Sequence, residues 1–379
     1  MSINSLYIHI PFCDHICIYC DFYKMIAKKQ SMEKYFNYLL KELDMKKKYL
    51  KELKTIYIGG GTPSCVPIPF LRRLFIKLKE LINLNLLTEF TVECNPKDVK
   101  KELIDLFKEF NVNRISLGAQ SLNDNKLKAL NRNHLSNDIY NAICLLKNNN
   151  ITNISCDLIY GLQNDTYELL EEDILKLIYL DVKHISCYTL IIEEKTILDK
   201  MIKHCNYRPL DDDIEAEIYE KITTLLQNKG YKRYEISNYA VEGFESIHNM
   251  TYWKNENYIG VGAGASYFID NIQYKNITNL NKYYEGIDNN NLFYSEKNIL
   301  SKNDLIYDEI MLKLRMSKGI NLDDFYNKFN ISLLDICNLD KHLQNGNLIL
   351  ENNNLFVNPQ KMYIVNYILT DILSFDLSN

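Results

Sequence analysis

The chain has 379 residues, 46% of them hydrophobic and 25% charged, with a formal charge of −5. The length allows roughly two or three domains, and the composition excludes wholesale disorder and a coiled coil. A pI near 5.9 argues against a protein that coats nucleic acid, and no apolar run approaches the ~18 residues needed to span a bilayer.

The amino terminus, MSINSLYIHIPF, carries no basic region ahead of an apolar stretch and enters a strand at Ser5, which predicts a cytoplasmic protein. Its ten cysteines are then expected to be buried small hydrophobes or metal ligands. Six β-rich runs follow at Ser5–Ile10, Thr55–Ile58, Glu89–Glu93, Arg114–Gly118, Asn153–Ile159 and His184–Leu190. Helical periodicity lies between them, as in Val99, Leu103, Leu106, Phe107 and Phe110. Alternating strands and helices predict parallel βα units, closed partly into a barrel or open as a sheet.

A further helix is punctuated by acidic caps at Asp211–Asp213 and by Gly230. YKRYEIS reads as a strand, and Tyr239–Tyr267 as a site-building loop. The polar stretch Asp288–Asn291 predicts a boundary between domains 1–287 and 292–379. In the second, helices over Asp304–Lys318 and Leu322–Phe329, a hairpin in LILENNNLFV and a last helix from Lys361 predict a small α+β unit.

CDHICIYC places Cys13, Cys17 and Cys20 directly after the first strand and Pro11. Three thiolates on one loop fit an iron–sulfur cluster or zinc. Zinc needs a fourth ligand, for which His9 or His15 could serve, but structural zinc sites usually come as two separated pairs. The other seven cysteines are scattered. A four-iron cluster held by three cysteines keeps one iron open to a small molecule.

GGGTP at Gly59–Pro63 follows the strand TIYI. The third glycine of a dinucleotide fingerprint is Ser64 here and no Walker lysine follows. The glycines instead uncover backbone that an amino acid's ammonium and carboxylate could approach. Glu93, Gln120, Arg132 and Asp157 each read singly as a cap or a surface charge. Together they lie at or after the carboxyl ends of parallel strands, the face where ligands bind. Carboxylates there suit ribose hydroxyls, and Arg132 suits a carboxylate.

CxxxCxxC after a first strand, with Tyr19 just before the third cysteine, resembles the radical S-adenosylmethionine (SAM) superfamily. The series of motifs resembles its coproporphyrinogen-oxidase-like branch over nearly the whole chain. That resemblance implies a partial six-stranded (β/α) barrel followed by the branch's small α+β domain, expected to cover the barrel mouth. It implies a [4Fe–4S] cluster on Cys13, Cys17 and Cys20. SAM would be contacted by Tyr7, Tyr19, Gly60, Gly61, Thr62, Glu93, Gln120, Arg132 and Asp157. One departure is GLQNDT where the branch carries GLPGQ.

Phe22 stands where the branch's oxygen-independent coproporphyrinogen dehydrogenases carry a further cysteine. YCDF (Tyr19–Phe22), YEISNYA (Tyr234–Ala240) and HNMTYW (His248–Trp253) instead resemble its heme chaperones. The implied cargo is heme, handed to an acceptor protein, with a flavodoxin or ferredoxin as reductant. His248 is expected to ligate heme iron, with Tyr252 and Trp253 as aromatic surface; the plainer reading is a loop-bonding histidine and a space-filling tryptophan. Gly260, Gly262 and Gly264 are expected to allow close approach of cofactor or porphyrin. The alternatives are a coproporphyrinogen III dehydrogenase and a zinc-stabilised binding module.

Overall fold

Six runs of buried apolar residues form the strands β1 (Ser5–Ile10), β2 (Thr55–Gly60), β3 (Glu89–Cys94), β4 (Arg114–Gln120), β5 (Ile154–Tyr160) and β6 (His184–Thr189). The computed structural model describes residues 3–205 and 207–373; the extreme ends of the two expected domains lie outside the described residues. β1 to β6 pair in parallel, in chain order, with helices in the crossovers. Most positions of these strands are buried, polar ones such as Glu89, Thr91 and Arg114 included, so the strands are covered on both faces. The six-unit partial (β/α) barrel is as expected.

The sheet also has members that the sequence pattern did not predict. YKRYEIS breaks into β7 (Lys232–Arg233) and a turn before β8 (Asn238–Ala240), which lies antiparallel to β6. The segment expected as a loop holds a helix, Ile247–Trp253, and β9 (Ile259–Val261), which pairs in parallel with β1. The order is β7-β8-β6-β5-β4-β3-β2-β1-β9. Three residues are too few to display a period, so β9 has no signature of its own.

The expected boundary at 288–291 falls between two strands of one sheet. β10 (Ser266–Ile269), β11 (Ile272–Asn276) and β12 (Tyr294–Ile299) form one antiparallel sheet. The chain therefore stays with the first unit until Leu300, and the polar stretch only turns the chain out of the helix Leu280–Asp288. Beyond it come helices Lys302–Lys313 and Leu322–Phe329, β13 (Ile320–Asn321), the hairpin β14 (Leu348–Glu351) and β15 (Asn354–Val357), and a last helix, Val365–Ile372. This α+β unit docks on the β7–β8 turn. Ser317 N–H donates to Tyr234 O (3.0 Å), and Arg233 Nη2 donates to Pro359 O (3.0 Å).

A buried carboxylate ties the first helix to the closing strand. Glu42, in the helix Lys29–Lys46, accepts from Gly262 N (2.7 Å), Asn276 Nδ2 (2.9 Å), Tyr283 OH (2.6 Å) and Lys46 Nζ (2.8 Å). Lys46 in turn donates to Gly260 O (2.7 Å) and lies over the Tyr267 ring. Gly262, at φ 105°, is obligatory, because a Cβ there would stand 2.5 Å from His9 O. Gly260 and Gly264 likewise leave room for Ser266 O and Tyr23. These glycines serve packing within the protein, which corrects the expectation that they admit porphyrin. Removing one partner of a buried ion pair strands the other's charge, so Lys46→Ala is expected to lose about 3–5 kcal/mol in urea unfolding.

Candidate functional site

Parallel pairing delivers the carboxyl ends of β1–β6 to one side of the sheet, and a chamber opens there. Its walls carry Cys13, Cys17, Cys20, Tyr19, Gly60, Gly61, Thr62, Glu93, Gln120, Arg132 and Asp157. Eleven of the expected site residues thus share one cavity. Tyr7 and His248 are not among its lining residues, and neither is any residue of the C-terminal unit. That unit flanks the barrel instead of roofing the chamber, contrary to expectation.

The cysteine loop leaves β1 at Pro11 and is held from across the barrel. Asn131 Nδ2 donates to Ile16 O (3.0 Å), Arg132 Nη1 to Cys17 Sγ (3.1 Å) and Asn133 Nδ2 to Asp14 Oδ2 (3.0 Å). Asn131 takes φ 57°, which asparagine tolerates better than most residues. Of this clamp only Arg132 had been singled out. Burial pushes the Cys13 thiol up to about 11, against the opposing Thr62 hydroxyl, and raises Cys20, with Lys24 opposing. Burial also raises the Tyr19 phenol, partly offset by Arg132.

The glycine turn works differently from expectation. Gly60 N–H donates to Glu93 Oε2 (3.1 Å), Gly61 N–H to Ile10 O (2.9 Å) and Thr62 N–H to Phe12 O (2.7 Å). A Cβ on Gly59, Gly60 or Gly61 would strike Glu93, the His9 ring or Phe12 O respectively. With its N–H groups committed, the stretch offers carbonyl oxygens, which suit an ammonium. Glu93 also accepts from Tyr57 OH (2.8 Å). Burial lifts its pKa to about 7 against those two donors, and Asp157 adds to the rise. Asp157 is raised by burial as well. A register shift after Leu117 and φ 68° at Gln120 turn that side chain inward, where it accepts from Tyr188 OH (3.1 Å).

Among the described residues, no three His, Cys, Asp or Glu side chains converge as ligands of one metal ion. His9 is committed: Tyr7 OH donates to Nδ1 (3.0 Å), and Nε2 bonds Tyr23 O (2.9 Å). A single-ion zinc site using His9 is therefore not built. A four-iron cluster takes one sulfur per iron and suits thiols spread around a larger body. Two buried polar atoms without a partner, His15 Nε2 and Arg132 Nε, belong to residues lining this chamber. The donor set thus fits a sulfur-rich anionic guest.

Two of the expected contacts lie outside the chamber lining. Tyr7 lies inside the barrel with its hydroxyl on His9 and does not line the chamber. His248 is fully buried near the amino end of β2, its ring stacked on Tyr57. Thr55 spends its proton on Ser5 Oγ (2.8 Å), so it accepts from His248 Nδ1 (2.8 Å). Nε2 then accepts from Tyr252 OH (2.7 Å). Burial and, secondarily, Arg114 lower the His248 pKa to about 3. No free imidazole nitrogen faces an opening.

The GLQNDT loop is held by a buried pair. Asp165 accepts from Lys126 Nζ (2.8 Å) and from Leu162 N–H (3.0 Å).

The Radical SAM superfamily model matches residues 7–177, and the HemN C-terminal domain model matches residues 300–363. The chain is 40% identical over 329 residues to the heme chaperone HemW of Lactococcus lactis, covering 87% of this chain and 86% of that one. It is 36% identical to the heme chaperone HemW of Bacillus subtilis, covering 87% and 88%. Among solved structures it resembles coproporphyrinogen III oxidase (HemN) of Escherichia coli, at a TM-score of 0.84 and 18% identity, covering 98% and 90%. That likeness concerns the fold.

Glu93 sets a pH dependence. The unfolded chain ionises near the ordinary value of 4.5 and the folded chain only near 7, so the native state holds the extra proton between them. Stability contributed by this residue is present below pH 4.5 and lost as pH rises to 7. Glu93→Gln is expected to lack that loss, so its stability relative to wild type rises by up to about 3 kcal/mol across the window in urea titrations.

Proposed function

We propose that this protein handles heme, from the premise that the chain belongs to the heme chaperone HemW family of the radical SAM superfamily. Membership implies a [4Fe–4S] cluster and SAM, and the chamber suits both. Cys13, Cys17 and Cys20 would hold the cluster, which when bound supplies an open iron for SAM and a single electron for its reductive cleavage. This chain's own groups would place SAM: backbone carbonyls of Gly60 and Gly61 toward its ammonium, Arg132 toward its carboxylate, Glu93 and Asp157 toward ribose hydroxyls. The half-buried rings of Tyr19 and Tyr188 line the same chamber and would take up space beside the ligand.

The observation that carries the heme reading is the shared identity with heme chaperones along nearly the whole chain. Heme would be the cargo, an acceptor protein its destination, a flavodoxin or ferredoxin the electron source and the cytoplasm the location; among the described residues no helix is long and apolar enough to cross a membrane. Phe22, 64% exposed, occupies the place of the dehydrogenases' additional cysteine. A coproporphyrinogen dehydrogenase is therefore the less supported reading.

His248 enters a heme site only if the helix Ile247–Trp253 opens and breaks both imidazole bonds. A cleft of about 270 Å³ lies beside that helix, walled by Tyr252, Tyr258, Tyr267, Phe268 and Tyr274. It offers aromatic surface for a macrocycle once the helix moves. Heme addition is expected to raise amide hydrogen exchange in residues 247–253, and His248→Ala to abolish that rise and alter the heme spectrum. Heme binding with unchanged exchange would remove His248 from the site. Anaerobic incubation of the loaded protein with SAM, a reductant and coproporphyrinogen III is expected to yield no protoporphyrinogen; appreciable turnover would overturn the chaperone reading.

A further inference from the structure

The orphaned nitrogen of His15 is the chamber feature that the SAM contacts do not absorb. Nε2 is buried and has no partner. The loop on either side of it is pinned: Asp14 by Asn133, Ile16 by Asn131 and Cys17 by Arg132. The ring is thus carried on backbone whose path is fixed, between the first two cysteines, in the wall that holds all three. An imidazole nitrogen left without a partner in the interior is costly, and such an exception calls for an explanation, which a bound guest would supply. Sulfur is the acceptor that the surrounding donor set points to, since Arg132 already directs Nη1 at Cys17 Sγ, 3.1 Å away.

We propose that His15 donates from Nε2 to a sulfur of the cluster held by Cys13, Cys17 and Cys20, and so raises its reduction potential. Reduction adds one negative charge to the cluster, and hydrogen bonds to its sulfurs favour the more negative form. His15 is a tuning residue. It ligates no iron, and its role is independent of whether the cargo is heme.

The test uses the full chain with its cluster rebuilt anaerobically, without SAM or heme, in redox titrations followed by electron paramagnetic resonance. His15→Ala is expected to shift the midpoint downward, and His15→Gln, whose amide can donate from a similar place, to restore most of it, with iron and sulfide content unchanged. Because the substitution removes an unsatisfied donor, the His15→Ala apoprotein should melt no lower than wild type. In wild type carrying ¹⁵N-labelled histidine, the reduced cluster should show a weak ¹⁵N coupling that is lost in His15→Gln. Equal midpoints in fully loaded proteins, or no such coupling in wild type, would overturn the proposal. A shift seen only after SAM is added would also overturn it, by making SAM the acceptor. Should His15→Ala hold little cluster, the wild-type and His15→Gln spectra still decide.

Discussion

Parallel strands cannot be joined by tight turns, and this constraint organises the molecule. Each strand must be followed by a crossover that returns the chain to its starting edge. After six such returns every loop that leaves a carboxyl end emerges on the same side. Residues far apart in sequence, such as Cys17 and Arg132, therefore meet across one chamber. The opposite end of the barrel carries a different set of polar groups, Thr55, His248 and Glu89, which bond one another and their neighbours. Chemistry is concentrated at one end and cross-linking at the other.

The chamber is built in two tiers. The inner tier consists of thiols, carboxyls and one guanidinium, with burial driving the carboxyls Glu93 and Asp157 toward their neutral forms. The outer tier fixes their positions. Asn131, Arg132 and Asn133 act as successive anchors for the cysteine loop, and Asn95 supports Asn133 through a 2.9 Å bond. Bonds within the protein thus fix much of the loop's path, and all three cysteines line the chamber.

Much of this was legible in the sequence. β1–β6 are β-rich runs of ordinary strand length, and the cysteine spacing narrowed the chemistry to iron–sulfur or zinc, between which the family resemblance chose. Capping also worked: Asp211 accepts from Asp213 N–H at the start of the helix Asp212–Asn228. What escaped was short, exposed or long-range. β9 has only three residues, and β12 is largely exposed and polar, so neither carries a periodic pattern. Tyr7 was placed on the ligand by resemblance alone; in the structure its hydroxyl meets His9. Asn131 and Asn133 act on residues more than a hundred positions away, and nothing local marks them. The helix Ile247–Trp253 did have a signal in its Ser246 cap, which accepts from Asn249 N–H.

The buried pair of Lys126 and Asp165 has an evolutionary corollary. This chain ties the loop after β5 to a neighbouring helix by charge. Either member alone would leave an unneutralised ion in the interior, so drift at one position is blocked until the other has changed. Lysine and aspartate at these two positions are thereby tied to a shared history.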